Sequence, residues 1–218
     1  MGYHESLTEG RNAVLEAFRS GKTVDRLFVL DGCQDGPVKT ILREAKKQDT
    51  MVQYVKKERL DQLSETKNHQ GVIAYCAACE YAEVSDILEN AKKKGEAPFI
   101  VLLDGIEDPH NLGAIIRTAN QAGAHGVIIP KRRAVGLTAT VARTSAGAVN
   151  YTPVAKVTNL VTVMEDLKKE GMWFVCADMD GEEMYSLNLK GPIGLVIGNE
   201  GEGVSRLVKE HCDMVASI

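Results

Sequence analysis

From Pro98 onward the chain repeats one pattern: a short, continuous apolar run, a turn, then an amphipathic stretch. The runs are residues 99–103, 126–130, 173–176 and 193–198, and apolar residues at helical spacing fill 112–122, 138–146 and 160–169. A strand that is apolar on both sides has to be covered on both sides, and parallel strands need a long crossover between them. The pattern therefore predicts an α/β fold built on a parallel sheet with helices on both faces. Ligands of such sheets sit at the carboxyl ends of the strands.

The region before it reads differently. Gly10-Arg11-Asn12 leads into helical spacing over 13–18, with Gly21 just past the end. Residues 26–30 read as a strand, 38–48 as an amphipathic helix, 52–55 as a strand, 60–63 as a helical turn and 72–75 as a strand. This αβαβαβ order in residues 1–78 predicts a small N-terminal α/β layer domain. Residues 79–97 are polar and end in Lys92-Lys93-Lys94-Gly95-Glu96-Ala97-Pro98, which marks a boundary, although 84–93 has helical spacing. The expected organisation is an N-terminal domain at 1–78, a linker at 79–97 and a second domain at 98–218.

Composition excludes several classes. Of the 218 residues 44% are hydrophobic and 26% charged, a globular balance. No apolar run reaches the ~18 residues of a membrane span, and Met1–Glu5 does not open a signal peptide, which points to the cytoplasm. Five scattered cysteines form no disulfide framework. Cys76 and Cys79 have the spacing of half a zinc site but lack a second pair, so they read as packing residues and no metal is expected. Net charge is −4, so any nucleic-acid contact must come from local charge, and Lys131, Arg132, Arg133 and Arg143 supply such a cluster.

Two short blocks carry chemistry. After the run ending at Ile197 comes Gly198-Asn199-Glu200-Gly201-Glu202-Gly203, a turn in which bare Cα atoms let backbone approach a ligand. Its glycine spacing is not that of a dinucleotide fingerprint, and its two carboxylates would repel a pyrophosphate. A cationic ligand such as the sulfonium of S-adenosylmethionine suits it better, leaving a nicotinamide-dependent oxidoreductase as the weaker reading. The second block, Asn111-Leu112-Gly113-Ala114-Ile115-Ile116-Arg117, opens a helix after Asp108-Pro109. Gly113 lies one turn before Arg117 and is expected to leave room beside a guanidinium that can grip a phosphate.

Together with Arg143-Thr144-Ser145-Ala146-Gly147-Ala148, these blocks resemble the SpoU/TrmH family of RNA 2'-O-ribose methyltransferases, which have the knotted SPOUT fold. The likeness extends to residues 7–14 and 69–72, which look like that family's N-terminal substrate-binding domain, of L30e-like type. The resemblance implies S-adenosylmethionine as cofactor, ribosomal RNA as substrate and a homodimer, and it is nearest to the type that methylates a guanosine in bacterial 23S rRNA. It assigns Arg117, Asn111 and Glu200 to catalysis, Gly198, Asn199, Gly203 and Ile218 to the cofactor, and Arg11 and Asn12 to RNA. A guanidinium holds its proton at neutral pH, so Arg117 is expected to orient and stabilise charge, with proton acceptance from the ribose hydroxyl as the bolder role. The chain ends at Ser217-Ile218, ahead of the family's third motif, so the knot is expected to be incomplete within these residues. A non-catalytic RNA-binding protein on the same fold is the remaining alternative, disfavoured by the joint presence of Asn111, Arg117 and Glu200.

Overall fold

The structure is a computed structural model that describes residues 6–33 and 35–217. Ile218 and the Met1–Glu5 segment, both used in the sequence reading, lie outside the described residues. The chain divides into two compact units, Met1–Glu80 with Gly136–Ala139, and Tyr81–Val135 with Thr140–Ile218.

The first unit runs β1 (Ser6–Glu9), α1 (Arg11–Arg19), β2 (Val24–Leu30), α2 (Gly36–Lys47), β3 (Met51–Val55), α3 (Lys57–Leu63) and β4 (Val72–Cys76). Its four strands lie in the order β1-β4-β2-β3, with β4 antiparallel to both neighbours and β3 parallel to β2. Helices α1 and α2 bury Val14, Phe18, Val38 and Ile41 against Leu27, Val29, Val72 and Ala74. Leu60 of α3 covers Phe28 and Ile73 on the opposite face. Cys76 belongs to the first of these cores, as a packing residue should. Strand β1 is absent from the sequence expectation because its only large apolar side chain is Leu7; main-chain pairing with β4 makes it a strand.

Glu9, at the end of β1, holds the loop after α3. Its carboxylate accepts hydrogen bonds from the Ser64 hydroxyl, from Glu65 N–H at 2.7 Å and from the N–H and hydroxyl of Thr66 at 3.2 and 3.0 Å. Burial alone would raise its pKa, but these donors outweigh burial and hold it below the ordinary 4.5.

The second unit contains α4 (Val84–Lys94), β5 (Phe99–Asp104), α5 (Pro109–Gln121), β6 (Gly126–Pro130), most of α6 (Ala139–Thr144), β7 (Val154–Val157), α7 (Leu160–Lys169), β8 (Trp173–Glu183), β9 (Ile193–Gly198), α8 (Arg206–Glu210) and β10 (Met214–Ser217). Its strands form a parallel sheet in the order β10-β8-β9-β5-β6-β7. Ile87, Met164, Leu167 and Val208 from α4, α7 and α8 pack on Ile100, Leu102, Ile128, Phe174 and Val196. Alternation along the strands turns Val101, Leu195 and Ile197 to the other face, where α5 lies. Strands β5, β6 and β7 progress in one direction, while β9 and β8 stand on the far side of β5. The chain therefore reverses its winding between β5 and β9, and a crevice opens there at the strand carboxyl ends.

Residues 79–97 do not form a linker. Within them α4 is held at its start by a reciprocal capping box of Glu83 and Asp86, closed by Gly95 in the left-handed region, and buries Ile87 and Ala91. The lysine run that suggested a boundary is the last turn of this helix, where cations suit the carboxyl end of the dipole. Strands β7 and β10 have only four residues each and were not legible as apolar runs; β8 runs past Cys176 to Glu183 through an irregular register against β10.

Two outcomes follow from this packing. Ile87→Ala is expected to cost about 2–4 kcal/mol in urea unfolding, as a buried side chain should, whereas a linker position would change stability by less than about 0.5 kcal/mol. Because Glu9 is depressed in the folded state, its contribution is complete above pH 4.5 and is lost as pH falls through the folded value. Amide-exchange protection at Glu65 and Thr66 should fall below about pH 4.5, and Glu9→Gln should remove that pH dependence.

Candidate active site at the β5–β9 crevice

The glycine turn after β9 is held in one conformation by Asn199. Its Nδ2 donates to the Gly105 carbonyl at 2.9 Å, tying the turn to the end of β5. Its Oδ1 accepts from Gly201 N–H at 2.9 Å and Glu202 N–H at 3.2 Å, and its backbone exchanges two 2.9 Å bonds with Gly203. Gly198 must be a glycine: a Cβ there would collide with the Gly203 carbonyl group and the Val204 nitrogen. Asp104 completes the joint by accepting from Ser205 N–H at 2.8 Å.

Helix α5 starts beside this turn. Asp108 caps it, accepting from His110 N–H at 2.8 Å and Asn111 N–H at 2.9 Å, with Pro109 in the first turn. This places Asn111 so that its Nδ2 donates to Glu200 Oε2 at 3.4 Å, joining two motifs 89 positions apart. Arg117 is exposed and lies six residues further along α5, about 120° round the helix axis from Asn111. Among the described residues its guanidinium makes no hydrogen bond or ion pair with Asn111 or Glu200.

The space expected above Gly113 is filled. A Cβ at Gly113 would lie 2.6 Å from Thr144 Cβ and Oγ1 and 3.0 Å from Ser145 N. The glycine serves close packing of α5 on the end of α6, and no gap is left there for the guanidinium. Ser145 is fully buried, with its hydroxyl bonded to the Ala142 carbonyl at 2.9 Å.

A polar cavity of about 540 Å³ opens at the crevice, bordered by Asp104, Glu107, Asn199, Glu202, Arg133 and Arg206 among others. Three carboxylates and two guanidinium groups thus face one volume. Asp104, Glu107 and Arg206 were missed in the sequence; Asp104 ends an apolar strand, which was the signal available for it. Arg133 holds a left-handed backbone at φ 53°, unusual for a residue with a side chain. Arg132 and Arg143 are exposed outside the cavity, and Arg143 donates to Thr140 Oγ1 at 3.2 Å. Lys131 is half-buried. Arg11 and Asn12 belong to the first unit, where Arg11 is already engaged by Asp35 at 2.6 Å.

On the outer side, Lys209 of α8 bonds Asp178 of β8 at 2.7 Å, and this hydrogen bond lowers the Asp178 pKa and raises that of Lys209. Burial pushes the Cys212 thiol up to about 12, with Cys176 and Asp213 adding to the effect, so neither this thiol nor buried Cys176 is poised as a nucleophile.

A parallel sheet with a glycine turn at its switch point and an amide–carboxylate pair beside it is the arrangement of an α/β fold that takes ligands at its strand carboxyl ends. Residues 98–218 match the profile of the SpoU rRNA Methylase family, and residues 7–82 match that of RNA 2'-O ribose methyltransferase substrate binding. The chain belongs to the SpoU rRNA methylase family, a family of RNA methyltransferases. It is 47% identical over 211 residues to a Bacillus subtilis protein named for the TrmH family of tRNA/rRNA methyltransferases, covering 96% of this chain and 84% of that one. A Staphylococcus haemolyticus relative named for the same family is 45% identical over 210 residues, covering 96% and 84%. The fold matches the SpoU methyltransferase AviRb of Streptomyces viridochromogenes, solved in complex with AdoMet, at TM-score 0.58 and 24% identity over 98% of this chain and 80% of that one. It also matches an AdoMet-bound rRNA methyltransferase of Sinorhizobium meliloti at TM-score 0.57 and 23% identity, covering 98% and 78%.

Asn199→Ala should free the turn: amide exchange at Gly201 and Glu202 is expected to rise by at least about tenfold, from loss of the bonds that order them. Unchanged exchange would mean that the glycine backbone alone sets the turn.

Proposed function

We propose that the chain transfers a methyl group from S-adenosylmethionine to the 2'-hydroxyl of a guanosine ribose in 23S rRNA, acting as a homodimer in the cytoplasm. The observation that carries this reading is the Asn111–Glu200 contact at the carboxyl ends of β5 and β9, beside a turn shaped for close backbone approach. The cavity suits the cofactor: it is large enough for a nucleoside-sized ligand, Asp104, Glu107 and Glu202 suit its sulfonium and ammonium groups, and Arg133 and Arg206 suit its carboxylate. Gly198, Asn199 and Gly203 would line the cofactor side, and Ile218 belongs to the same set by family likeness. When bound, S-adenosylmethionine supplies an electrophilic methyl group.

The chain's own residues do the rest. Asn111 and Glu200 hold the ribose by hydrogen bonds, which converts a weak nucleophile into a positioned one. Arg117 orients the substrate phosphate and stabilises the charge that develops as the hydroxyl passes its proton to solvent water. Lys131, Arg132, Arg133 and Arg143 neutralise neighbouring phosphates. The separation of Arg117 from Asn111 around α5 favours a dimer in which the groups come from different copies. An open apolar groove of about 230 Å³ beside α5, lined by Phe99, Val101, Ile115, Leu195 and Ile197 among others, supports a partner on that side.

The test is methyl transfer from labelled cofactor into in vitro transcribed 23S rRNA, followed by nuclease digestion and mass spectrometry. Label in 2'-O-methylguanosine is expected; label on a base, or in tRNA alone, would overturn the assignment. Arg117→Ala should reduce transfer by about 100-fold or more while calorimetric affinity for S-adenosylhomocysteine stays within about twofold.

A further inference from the structure

The first unit carries a loop, residues 64–70, whose construction exceeds what a connection between α3 and β4 requires. Besides the Glu9 clamp, Ser64 Oγ accepts from Lys67 N–H at 2.8 Å and Thr66 Oγ1 from Asn68 N–H at 3.2 Å. His69 is buried, its Nδ1 accepting from Gly71 N–H at 3.0 Å, so its Nε2 carries the proton and donates to Asp61 Oδ1 at 3.0 Å. Lys67 and Gln70 hold left-handed backbones at φ 60° and 49°. Residues with side chains adopt that region only where their surroundings impose it, and such positions concentrate at ligand-binding segments.

Arg11, expected from the sequence to touch RNA, is turned inward to this loop. Its Nη2 pairs with Asp35 Oδ2 at 2.6 Å, its Nε donates to the Gln70 carbonyl at 3.0 Å, and its backbone N–H donates to Gln70 Oε1 at 3.2 Å. The loop lies against the start of α1: a Cβ on Gly10 would be 3.5 Å from the Asn68 carbonyl oxygen and 3.4 Å from Gln70 Oε1. What this leaves facing solvent is Asn12, Glu65, Lys67 and Asn68, all exposed, whose side chains form no hydrogen bond or ion pair among the described residues; the amides and the ammonium are the groups here that can donate to a base edge or a phosphate, and the Glu65 carboxylate cannot. Residues 64–70, Ser-Glu-Thr-Lys-Asn-His-Gln, contain no apolar side chain to dock a protein and no Phe, Tyr or Trp on which to stack a base.

We infer that Asn12, Lys67 and Asn68 form a preorganised edge that reads unpaired nucleotides of the RNA substrate, the amides meeting base edges and the ammonium a phosphate, with Arg11 as the residue that positions the loop. This rests on the proposal that the substrate is RNA. Amides offer both donor and acceptor to a base edge, and unpaired nucleotides are where proteins read RNA sequence. A rigid edge loses little freedom on binding, which is the benefit of the internal bonding.

The test uses the full chain, in vitro transcribed 23S rRNA and a tRNA transcript in separate arms, and filter binding over a salt series. Lys67→Ala with Asn68→Ala should weaken 23S rRNA binding about tenfold and lower the salt slope by about one. S-adenosylhomocysteine affinity and amide exchange across 64–70 should stay unchanged. Arg11→Met should weaken RNA binding and also raise exchange at 64–70. Variant affinity within twofold of the parent would overturn the edge while leaving the methyltransferase reading intact. Parent protein that binds no RNA overturns both. Loss of binding in Arg11→Met without faster exchange would make Arg11 a direct contact and overturn its positioning role.

Discussion

Backbone passing over a bare Cα at Gly198 is the constraint on which the second unit's crevice depends. Any side chain there would separate the two legs of the turn, and Asn199 could no longer reach both its own turn and the Gly105 carbonyl. Asp104 and Ser205 add a second tie between the same two strand ends. Glu200 is then carried to a fixed place beside the capped start of α5, where Asn111 meets it. The site is thus an extension of the sheet's own hydrogen-bonding order beyond the last paired residues of β5 and β9.

The parallel sheet was legible because continuous apolar runs and helical spacing are local properties. Runs such as 126–130 and 193–198, and the helix at 160–169, coincide with the observed elements. What was not legible depended on long-range partners. Strands β1 and β10 exist because β4 and β8 offer them unpaired main-chain groups. Helical spacing over 84–93 is visible in the sequence, but the adjacent lysines and Gly95 read as a boundary, and only the long-range packing of Ile87 and Ala91 shows the segment to be part of the second unit.

The candidate site divides in the same way. Glycines and capping residues announce themselves by type, so the turn and the start of α5 were found. The direction of a charged side chain does not, and Arg11 shows this: family likeness assigns it to RNA, and in the structure the Asp35 carboxylate and the Gln70 carbonyl hold its guanidinium. Gly113 is the other instance, a residue read as empty space that proves to be the place where two helices touch.

That contact has a mechanical meaning. With Thr144 and Ser145 seated directly on Gly113, rolling α5 about its axis would drive the end of α6 aside. Arg117 therefore sweeps through space by its own side-chain torsions, on a fixed pivot. Its reach is the length of one arginine, and whatever meets it has to be delivered within that radius.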